Sequence, residues 1–368
     1  MQWSPQQAAA LKAVDKWFYQ ESKKKQVFRV YGYAGTGKTT LAKHFAEGID
    51  GNVEYAAFTG KAALMMQKNG CIGARTLHGL IYIAEVDKKT GSLSFRLNRN
   101  TSALKDAALL IIDECSMVDE EMARDLMSFD KPILVLGDPA QLPPVTGAGY
   151  FTNKKPDVML TEIHRQAEEN PIIYLATQVR NGTFPDLGEY GESRIVSKIT
   201  SQDALDASQI LVGRNATRDD MNRKMRKLLK RDPDTPEVKD RLICLKNDRD
   251  LGIFNGGMFT VEQLIQQKYK TNFMHLRLDR EDDADGLPVM VKVHKSFFMS
   301  DVAKPEWKTL KGSQEFDYGY AITCHKSQGS QWDNVLVYDE SWCFRDDWQK
   351  WLYTAITRAS ERLTIVKG

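Results

Sequence analysis

The most specific chemistry in this sequence lies in a glycine-rich stretch between residues 32 and 40. The spacing fits G-x-x-x-x-G-K-[ST], with Gly32, Gly37, Lys38 and Thr39 at its fixed positions, and predicts a phosphate-binding loop. The glycines let backbone N–H groups surround a phosphate chain, while Lys38 can reach the β- and γ-phosphates and Thr39 can hold Mg²⁺. We therefore expect ATP and Mg²⁺ to bind here. The residues expected at the nucleotide are Gly35, Thr36, Gly37, Lys38, Thr39 and Thr40.

Two acids supply the partner that such a loop needs. Asp113 and Glu114 come directly after Leu109–Ile112, an apolar run that predicts a buried strand. Asp113 is expected to bind Mg²⁺, and Glu114 to orient or deprotonate the attacking water. The alternative is a pair of solvated acids after a strand, which the glycine loop upstream disfavours.

Two amide side chains complete the predicted nucleotide site. Gln141 follows the apolar run Ile133–Leu136 and the dipeptide Gly137-Asp138. Because polar groups at the carboxyl ends of parallel strands line the ligand crevice of α/β sheets, Gln141 is expected to contact the γ-phosphate. Gln7 precedes the glycine loop, and its amide can hydrogen-bond both edges of adenine. Taken alone, Gln7 fits a surface residue better.

The elements that must position these residues follow from apolar periodicity. Residues 4–19 predict an amphipathic helix with Ser4 as its N-cap. Val27–Tyr31 predicts a strand before the glycine loop, and the residues after the loop predict a helix. Residues 82–96 predict a short β-hairpin around a polar turn. Strands alternating with helices predict an α/β fold.

A second α/β pattern begins after residue 150. Within it, Ile210–Gly213 predicts a strand, and residues 218–231 predict a basic amphipathic helix with a solvated charged face. Residues 240–315 change to short β-like runs and turns, which predict a small β insertion. The tryptophans Trp342, Trp348 and Trp351 are expected in the core, in preference to a role as base-stacking platforms. The predicted domains are residues 1–150, with a hairpin insertion at about 80–103, and residues 151–239 with 316–368, interrupted by the insertion 240–315.

Composition limits the class of protein. The chain has 368 residues, of which 42% are hydrophobic, enough for about two to three domains. A net charge of +2 permits a nucleic-acid partner through local patches but does not demand one. The five cysteines form no C-x-x-C pair, so a disulfide framework or a zinc site is not expected. Without an apolar run that spans a bilayer or a signal peptide, we expect a soluble cytoplasmic protein, in the host cytoplasm if its source is a phage.

These motifs, in this order, resemble those of superfamily 1 helicases, in particular the RecD/Dda-like B group. The resemblance covers nearly the whole chain. Gln7 is similar to the adenine-reading glutamine of that family, and Asp113-Glu114 to its metal-binding and water-activating acids. Gly137-Asp138 with Gln141 matches the G-D-x-x-Q sensor.

The resemblance also assigns residues that periodicity and composition do not. Arg165 and Arg358 fall on the two arginine positions of the family, where they serve as cationic fingers on the triphosphate. The stretch Thr323–Gly329 is similar to the family's T-x-H-K-S-Q-G, with Gly329 at the nucleotide. The residues that the resemblance assigns to single-stranded DNA in the matching motifs are Thr59, Lys61, His78, Thr323 and His325.

Three features bear on how far the resemblance extends. Phe58 stands where relatives usually have proline before T-G-K. The hairpin at residues 82–96 is short for a strand-separating pin, and Phe95 is expected either to stack on the last base pair or to pack the hairpin onto the core. Asn255-Gly256 resembles the N-G of the family's small SH3-like β insertion.

The resemblance implies two RecA-like parallel-sheet domains and an ATP-dependent DNA helicase that moves 5′→3′ on single-stranded DNA and opens forked duplex DNA. It further implies a monomer without membrane association, with replication or recombination proteins as candidate partners. Two alternatives stay open. One is a single-strand-binding accessory ATPase subunit, which intact Lys38, Asp113 and Glu114 disfavour. The other is a P-loop phosphotransferase without nucleic acid, which the second α/β half with Arg358 disfavours.

Overall fold

The computed structural model describes residues 3–86, 93–143, 149–163, 169–248, 251–253, 255–265, 271–281, 287–299, 302 and 305–367. The chain divides into two units, Met1–Thr183 and Phe184–Gly368. Within the described ranges, no helix is long and apolar enough to cross a membrane.

The first unit is built on a six-stranded parallel sheet in the order β3-β2-β6-β7-β1-β8. The strands of the whole unit in chain order are β1 (Val27–Gly32), β2 (Asn52–Ala57), β3 (Arg75–Thr76), β4 (Tyr82–Val86), β5 (Leu93–Leu97), β6 (Ala107–Asp113), β7 (Ile133–Gly137) and β8 (Val158–Leu160). Strands β4 and β5 pair with each other as an antiparallel hairpin. The helices are α1 (Pro5–Lys16), α2 (Lys38–Glu47), α3 (Gly60–Lys68), α4 (Leu77–Ile81), α5 (Glu120–Met127) and α6 (Pro171–Arg180).

Apolar side chains cover both faces of this sheet. Phe28 of β1 and Leu109 of β6 belong to one hydrophobic cluster, whereas the neighbouring Val27 and Leu110 belong to another. Because successive side chains of a strand point to opposite faces, the two clusters lie on opposite sides of the sheet. Burial on both sides explains why the central strands β6 and β7 are nearly continuous apolar runs.

The start of helix α1 agrees with the sequence. Ser4 is the N-cap, and its side chain accepts a hydrogen bond from the backbone N–H of Gln7. The side chain of Gln7 in turn accepts from the backbone N–H of Ser4, which completes a capping box. Helix α1 ends at Lys16 and continues as a π-helical turn over Trp17–Glu21.

The first unit extends beyond the predicted boundary at residue 150. Strand β8 pairs in parallel with β1, with Tyr31 opposite Met159, and the unit continues to Thr183. The prediction ended the domain too early because β8 has only three residues, too few for a periodic pattern.

The second unit contains a six-stranded sheet in the order β17-β11-β18-β19-β10-β9, parallel except for the β9–β10 pair. Its strands are β9 (Gly188–Tyr190), β10 (Ser193–Val196), β11 (Gln209–Val212), β17 (Ala321–Thr323), β18 (Trp332–Tyr338) and β19 (Ala359–Val366). Its helices are α7 (Ser201–Asp206), α8 (Asn215–Leu228), α9 (Trp307–Leu310) and α10 (Trp348–Ile356). The predicted α/β fold with parallel sheets is thus confirmed.

Between β11 and β17 the chain forms a five-stranded antiparallel sheet in the order β15-β14-β13-β12-β16. Its strands are β12 (Arg241–Cys244), β13 (Met258–Ile265), β14 (Phe273–Arg280), β15 (Val289–His294) and β16 (Phe316–Tyr318). Strand β16 pairs with β12, so the sheet runs past the predicted end of the insertion at residue 315. The fully buried Arg226 of α8 forms an ion pair with Asp240, just before β12, which joins the helix to this sheet.

Candidate functional site

The glycine loop adopts the backbone that its sequence predicts. Gly35 and Gly37 have φ angles of 79° and 76°, which L side chains rarely adopt. A Cβ at Gly37 would also lie 2.9 Å from Nε2 of Gln7. Gly37 is the N-cap of α2, so the N–H groups of the first helical turn, which lack partners within the helix, can bind an anion at this loop.

Lys38 lies along the loop that precedes it. Its Nζ donates hydrogen bonds to the carbonyl oxygen of Gly32 at 2.6 Å and to that of Tyr33 at 3.1 Å. Thr36 is fully buried, and Thr40 is exposed. The lysine ammonium is therefore held on the loop where a phosphate chain would bind.

Thr39 and Asp113 meet across the end of the sheet. Strands β1, β7 and β6 are neighbours, so their carboxyl ends share one edge, and Thr39 Oγ1 donates to Asp113 Oδ2 at 2.7 Å. Burial raises the pKa of Asp113 above its ordinary value, and the charge of Glu114 raises it further. A divalent cation beside this carboxylate would offset that effect. A hydroxyl and one carboxylate also fit the way Mg²⁺ binds, with phosphate and water completing its octahedron.

Glu114 and Gln141 form the neighbouring part of the site. Glu114 has a φ of 51°, a strained conformation that is typical of functional positions. Nε2 of Gln141 approaches Oε1 of Glu114 at 3.4 Å. Oε1 of Gln141 is buried and has no hydrogen-bond partner within the described part of the chain. A carboxylate beside an unsatisfied amide oxygen can accept both protons of a water molecule.

Gln7 is more deeply buried than a surface residue, with 4% of its area exposed. Its Oε1 accepts from the backbone N–H of Ser4 at 3.1 Å, and its Nε2 donates to the carbonyl oxygen of Thr36 at 3.1 Å. The amide thus ties α1 to the glycine loop. Its contact with adenine stays a prediction.

The residues predicted to bind DNA in the first unit lie at two helix starts. Thr59 caps α3 and accepts from the N–H of Ala62, while the half-buried Lys61 is in the first turn of the same helix. His78 is in α4, with its ring 5.9 Å from that of Phe58 and 5.6 Å from that of Tyr82. Phe58, the departure from the family's proline, thus supplies an aromatic contact to His78.

In the second unit the predicted DNA and nucleotide residues follow β17. Thr323 ends the strand, and the ring of His325 lies 5.6 Å from that of Phe344. Burial lowers the pKa of His325. Lys326, which no prediction singled out, donates to Oδ1 of Asn255 at 2.5 Å, and burial lowers its pKa as well. Gly329 has a φ of 73°.

Arg358 is buried, with 4% of its area exposed. Its guanidinium donates to the carbonyl oxygens of Thr354 at 3.0 Å and Ser330 at 3.2 Å, and to Oγ1 of Thr357 at 3.1 Å. All three acceptors are neutral, and no carboxylate among the residues described forms an ion pair with it. The geometry holds the arginine firmly without neutralising its charge.

Sequence reasoning missed a second cluster near the carboxyl ends of β11 and β18. Glu340 accepts from the backbone N–H groups of Gly213 and Arg214 and from the Arg214 side chain, at 2.7 to 2.9 Å. Beside it is a cavity of about 450 Å³ lined in part by Trp342. The core prediction is confirmed for Trp351, which is fully buried, and wrong for Trp342, which is 65% exposed. The exposed ring of Trp342 instead makes a cation–π contact with the Arg214 guanidinium, 5.4 Å from its centre.

The side chains of two predicted residues lie outside the described part of the chain. Arg165 falls in the stretch 164–168, which lies outside the described residues, and so does the side chain of Phe95. The backbone of Phe95 belongs to β5 and is opposite Ala84 of β4. Their predicted roles stay predictions.

Two family models match the chain. A model described as the AAA domain matches residues 2–201, and one described as the UvrD-like helicase C-terminal domain matches residues 318–366. The first covers more than half of the chain and contains the glycine loop, both acids and Gln141. The second contains Thr323, His325 and Arg358.

The chain is similar in sequence to curated relatives. The ATP-dependent RecD2 DNA helicase of Deinococcus radiodurans is 28% identical over 366 residues, covering 90% of this chain and 45% of the relative. The ATP-dependent DNA helicase dda of Enterobacteria phage T4 is 32% identical over 176 residues, covering 44% of this chain and 39% of the relative. This chain thus spans less than half the length of either protein. The predicted resemblance to superfamily 1 helicases of the RecD/Dda-like group is confirmed.

Solved structures share the fold. The crystal structure of Bacteroides Pif1 bound to ssDNA has a TM-score of 0.59 at 22% identity, covering all of this chain and 92% of that one. The crystal structure of Pif1 helicase from Candida albicans has a TM-score of 0.58 at 21% identity, covering all of this chain and 95% of that one.

Proposed function

This chain belongs to the AAA domain family, and from that premise we propose that it is an ATP-dependent DNA helicase that moves 5′→3′ on single-stranded DNA and opens forked duplex DNA. The observation that carries the proposal is the contact between predicted catalytic groups at the carboxyl ends of the strands of the first sheet. Thr39 is bonded to Asp113, and Gln141 lies against Glu114. The UvrD-like match at residues 318–366 supports coupling of this ATP site to DNA.

In the proposed reaction each group has a separate task. The loop N–H groups and Lys38 bind the β- and γ-phosphates, and Thr39 with Asp113 would hold Mg²⁺, which supplies charge stabilisation when bound. Glu114 accepts a proton from the attacking water while Gln141 orients it. Gln7 and Gly329 are proposed to contact the nucleotide, and Arg165 and Arg358 to stabilise the charge that develops on the triphosphate.

We assign the DNA contacts to loops of both units. Thr59, Lys61 and His78 of the first unit, with Thr323 and His325 of the second, are proposed to bind a single strand through its phosphates and bases. We further propose that both parallel-sheet units are RecA-like, that the antiparallel sheet is the SH3-like insertion, and that the protein works as a monomer. The β4–β5 hairpin with Phe95 is proposed as the strand-separating element, because an aromatic ring can stack on the last base pair.

One set of assays separates this function from its alternatives. ATP hydrolysis is measured with and without single-stranded DNA, and unwinding is measured on duplexes with a 5′ or a 3′ overhang. A helicase of this polarity shows DNA-stimulated hydrolysis and opens only the 5′-tailed duplex. A phosphotransferase shows no stimulation by DNA, and an accessory subunit binds DNA without unwinding it. Opening of the 3′-tailed duplex alone would overturn the polarity.

The salt dependence of DNA binding tests the phosphate contacts. Each neutralised phosphate of a single strand contributes about −0.7 to the slope of log affinity against log salt concentration. The wild-type protein should therefore show a clearly negative slope, and Lys61→Ala a shallower one. A slope of zero would contradict a phosphate-binding groove.

The hairpin has its own test. Phe95→Ala should leave DNA-stimulated hydrolysis intact and slow unwinding, because stacking on a base is worth about 1–3 kcal/mol. Loss of both activities together would instead favour a packing role for Phe95.

A further inference from the structure

The second residue of the glycine loop carries a contact that the proposed mechanism does not use. The guanidinium carbon of Arg180 lies 3.7 Å from the centre of the Tyr33 ring. Arg180 is the last residue of α6, about 150 residues away in sequence but within the first unit. At this distance the guanidinium lies over the face of the ring, in van der Waals contact.

The same tyrosine holds the catalytic part of the loop through its backbone. The carbonyl oxygen of Tyr33 accepts hydrogen bonds from Oγ1 of Thr36 at 2.8 Å and from Nζ of Lys38 at 3.1 Å. The backbone N–H of Thr36 also points at this oxygen, at 3.3 Å. Tyr33 thus contacts Arg180 through its ring and Lys38 through its carbonyl oxygen.

Arg180 also has the properties of a fixed cation. No carboxylate in the described part of the chain forms an ion pair with it, so its charge is not neutralised there. Its position in the last turn of α6 is favoured by the negative end of the helix dipole. A triphosphate at the neighbouring loop would experience this charge.

We propose that Arg180 is a positioning residue for the nucleotide-binding loop, which acts on Lys38 through Tyr33 and raises the affinity for ATP. The inference rests on the proposed nucleotide binding. Gly35 and Gly37 have positive φ angles in this loop, and glycine can adopt many other backbone conformations when nothing fixes it. Stacking by Arg180 fixes Tyr33 before the nucleotide arrives, so less conformational entropy is lost on binding.

The test is a double-mutant cycle on nucleotide affinity. The probe is a fluorescent, non-hydrolysable ATP analogue with Mg²⁺ and without DNA. Arg180→Ala and Tyr33→Leu should each raise Kd by about 2- to 30-fold, the range expected for loss of a cation–π contact. The double variant should bind no more weakly than Tyr33→Leu alone, because the two residues act as one unit.

Matched variants separate stacking from charge and from folding. Tyr33→Phe keeps the ring and should bind like the wild type. Arg180→Lys keeps the charge but loses the planar guanidinium group, so its affinity should fall between those of the wild type and Arg180→Ala. Arg124→Ala removes an exposed arginine of α5 and should leave Kd unchanged. Thermal melting without nucleotide identifies any variant that is not folded. If Tyr33→Leu is not folded, the Kd values of the Arg180 variants alone test the proposal.

Kinetics gives an independent readout. In DNA-stimulated hydrolysis, Arg180→Ala should raise KM and leave kcat at saturating ATP within about 2-fold, because the loop is fully formed once ATP is bound. Additive effects in the cycle, unchanged Kd or tighter binding by Arg180→Ala would each overturn the inference. A wild-type protein that binds no nucleotide would overturn the proposed function itself, and this inference with it.

Discussion

The glycine loop of the first unit and the Thr323–Gly329 loop of the second differ in what holds their functional side chains. At the site built around the glycine loop, the predicted residues contact one another. Thr39 of the loop contacts Asp113 at 2.7 Å, and beside them Gln141 contacts Glu114 at 3.4 Å. In the second, the contacts come from residues outside the motif. His325 lies against Phe344, and Lys326 is bonded to Asn255.

This difference separates two ways to build a site. Where functional groups are one another's partners, a change to one changes the charge or hydrogen bonding of the next. The pKa of Asp113 is raised mainly by burial, and the charge of the neighbouring Glu114 raises it further. Where the support is external, a supporting residue can be altered while the functional group stays. Single substitutions in the first site should therefore cause large losses of activity, and substitutions around the Thr323–Gly329 loop should cause smaller ones. Arg358, which bonds to Ser330 directly after this loop, is the exception.

Arg358 should give the largest effect. Arg358→Lys keeps the positive charge but loses the planar fork that bonds to Thr354, Ser330 and Thr357. If the arginine stabilises the transition state, DNA-stimulated kcat should fall by about 10³-fold, while binding of single-stranded DNA is retained. The measurement is steady-state ATP hydrolysis at saturating DNA, with fluorescence anisotropy for DNA affinity.

The control for this variant is Arg362→Ala, which removes an exposed arginine of β19 and should hydrolyse ATP like the wild type. A kcat for Arg358→Lys within a few-fold of the wild type would show that turnover does not need the planar guanidinium of Arg358. It would also remove the exception from the comparison of the two sites.

Glu114→Gln comes next. The amide keeps the shape of the side chain but cannot accept a proton, so kcat should fall by at least about 10²-fold. Nucleotide binding should be retained, since the phosphate contacts come from the loop. Glu121→Gln, an exposed acid of α5, is the matched control. Normal turnover by Glu114→Gln would exclude the water-activating role.

The first site was largely predictable from sequence because its residues lie in short local motifs. Each of Lys38, Thr39 and Asp113 follows directly on a strand or loop whose pattern is visible in the chain, and parallel pairing brings those ends to one edge. The same local logic predicted Ser4 as a cap and the α/β class of the fold.

Long-range support was not predictable. The stacking of Arg180 on Tyr33 and the bond between Lys326 and Asn255 join residues far apart in sequence, and neither pair has a characteristic spacing. The three-residue strand β8 was missed for a related reason. It is defined by its pairing with β1 and not by its own composition.

Asn255→Ala tests external support in the second unit with a moderate effect. Loss of the acceptor 2.5 Å from Nζ of Lys326 frees that lysine and loosens the loop that carries His325. Affinity for single-stranded DNA should fall by about 3- to 10-fold, the size of one hydrogen bond, with kcat at saturating DNA unchanged. Asn272→Ala, an exposed asparagine before β14, is the control. A large loss of kcat would mean that this loop resembles the first site more than the comparison allows.

The smallest effect concerns pH and His325. Burial holds the pKa of His325 below its ordinary value, so the imidazole stays neutral in the folded chain at a pH where the unfolded chain takes up a proton. The free energy of unfolding should therefore lose a contribution as pH falls from about 6.5, the ordinary histidine value, towards the lowered folded value. Above that range the contribution is fully present.

His325→Gln removes the titrating group and keeps a neutral polar side chain, so its stability should decrease less steeply over the same range. Urea midpoints of the wild type and the variant, compared from pH 8 to pH 5, measure the difference. Equal slopes would show that the ring is not held by Phe344 and the surrounding residues in solution. Support from outside the motif would then be limited to the bond between Lys326 and Asn255.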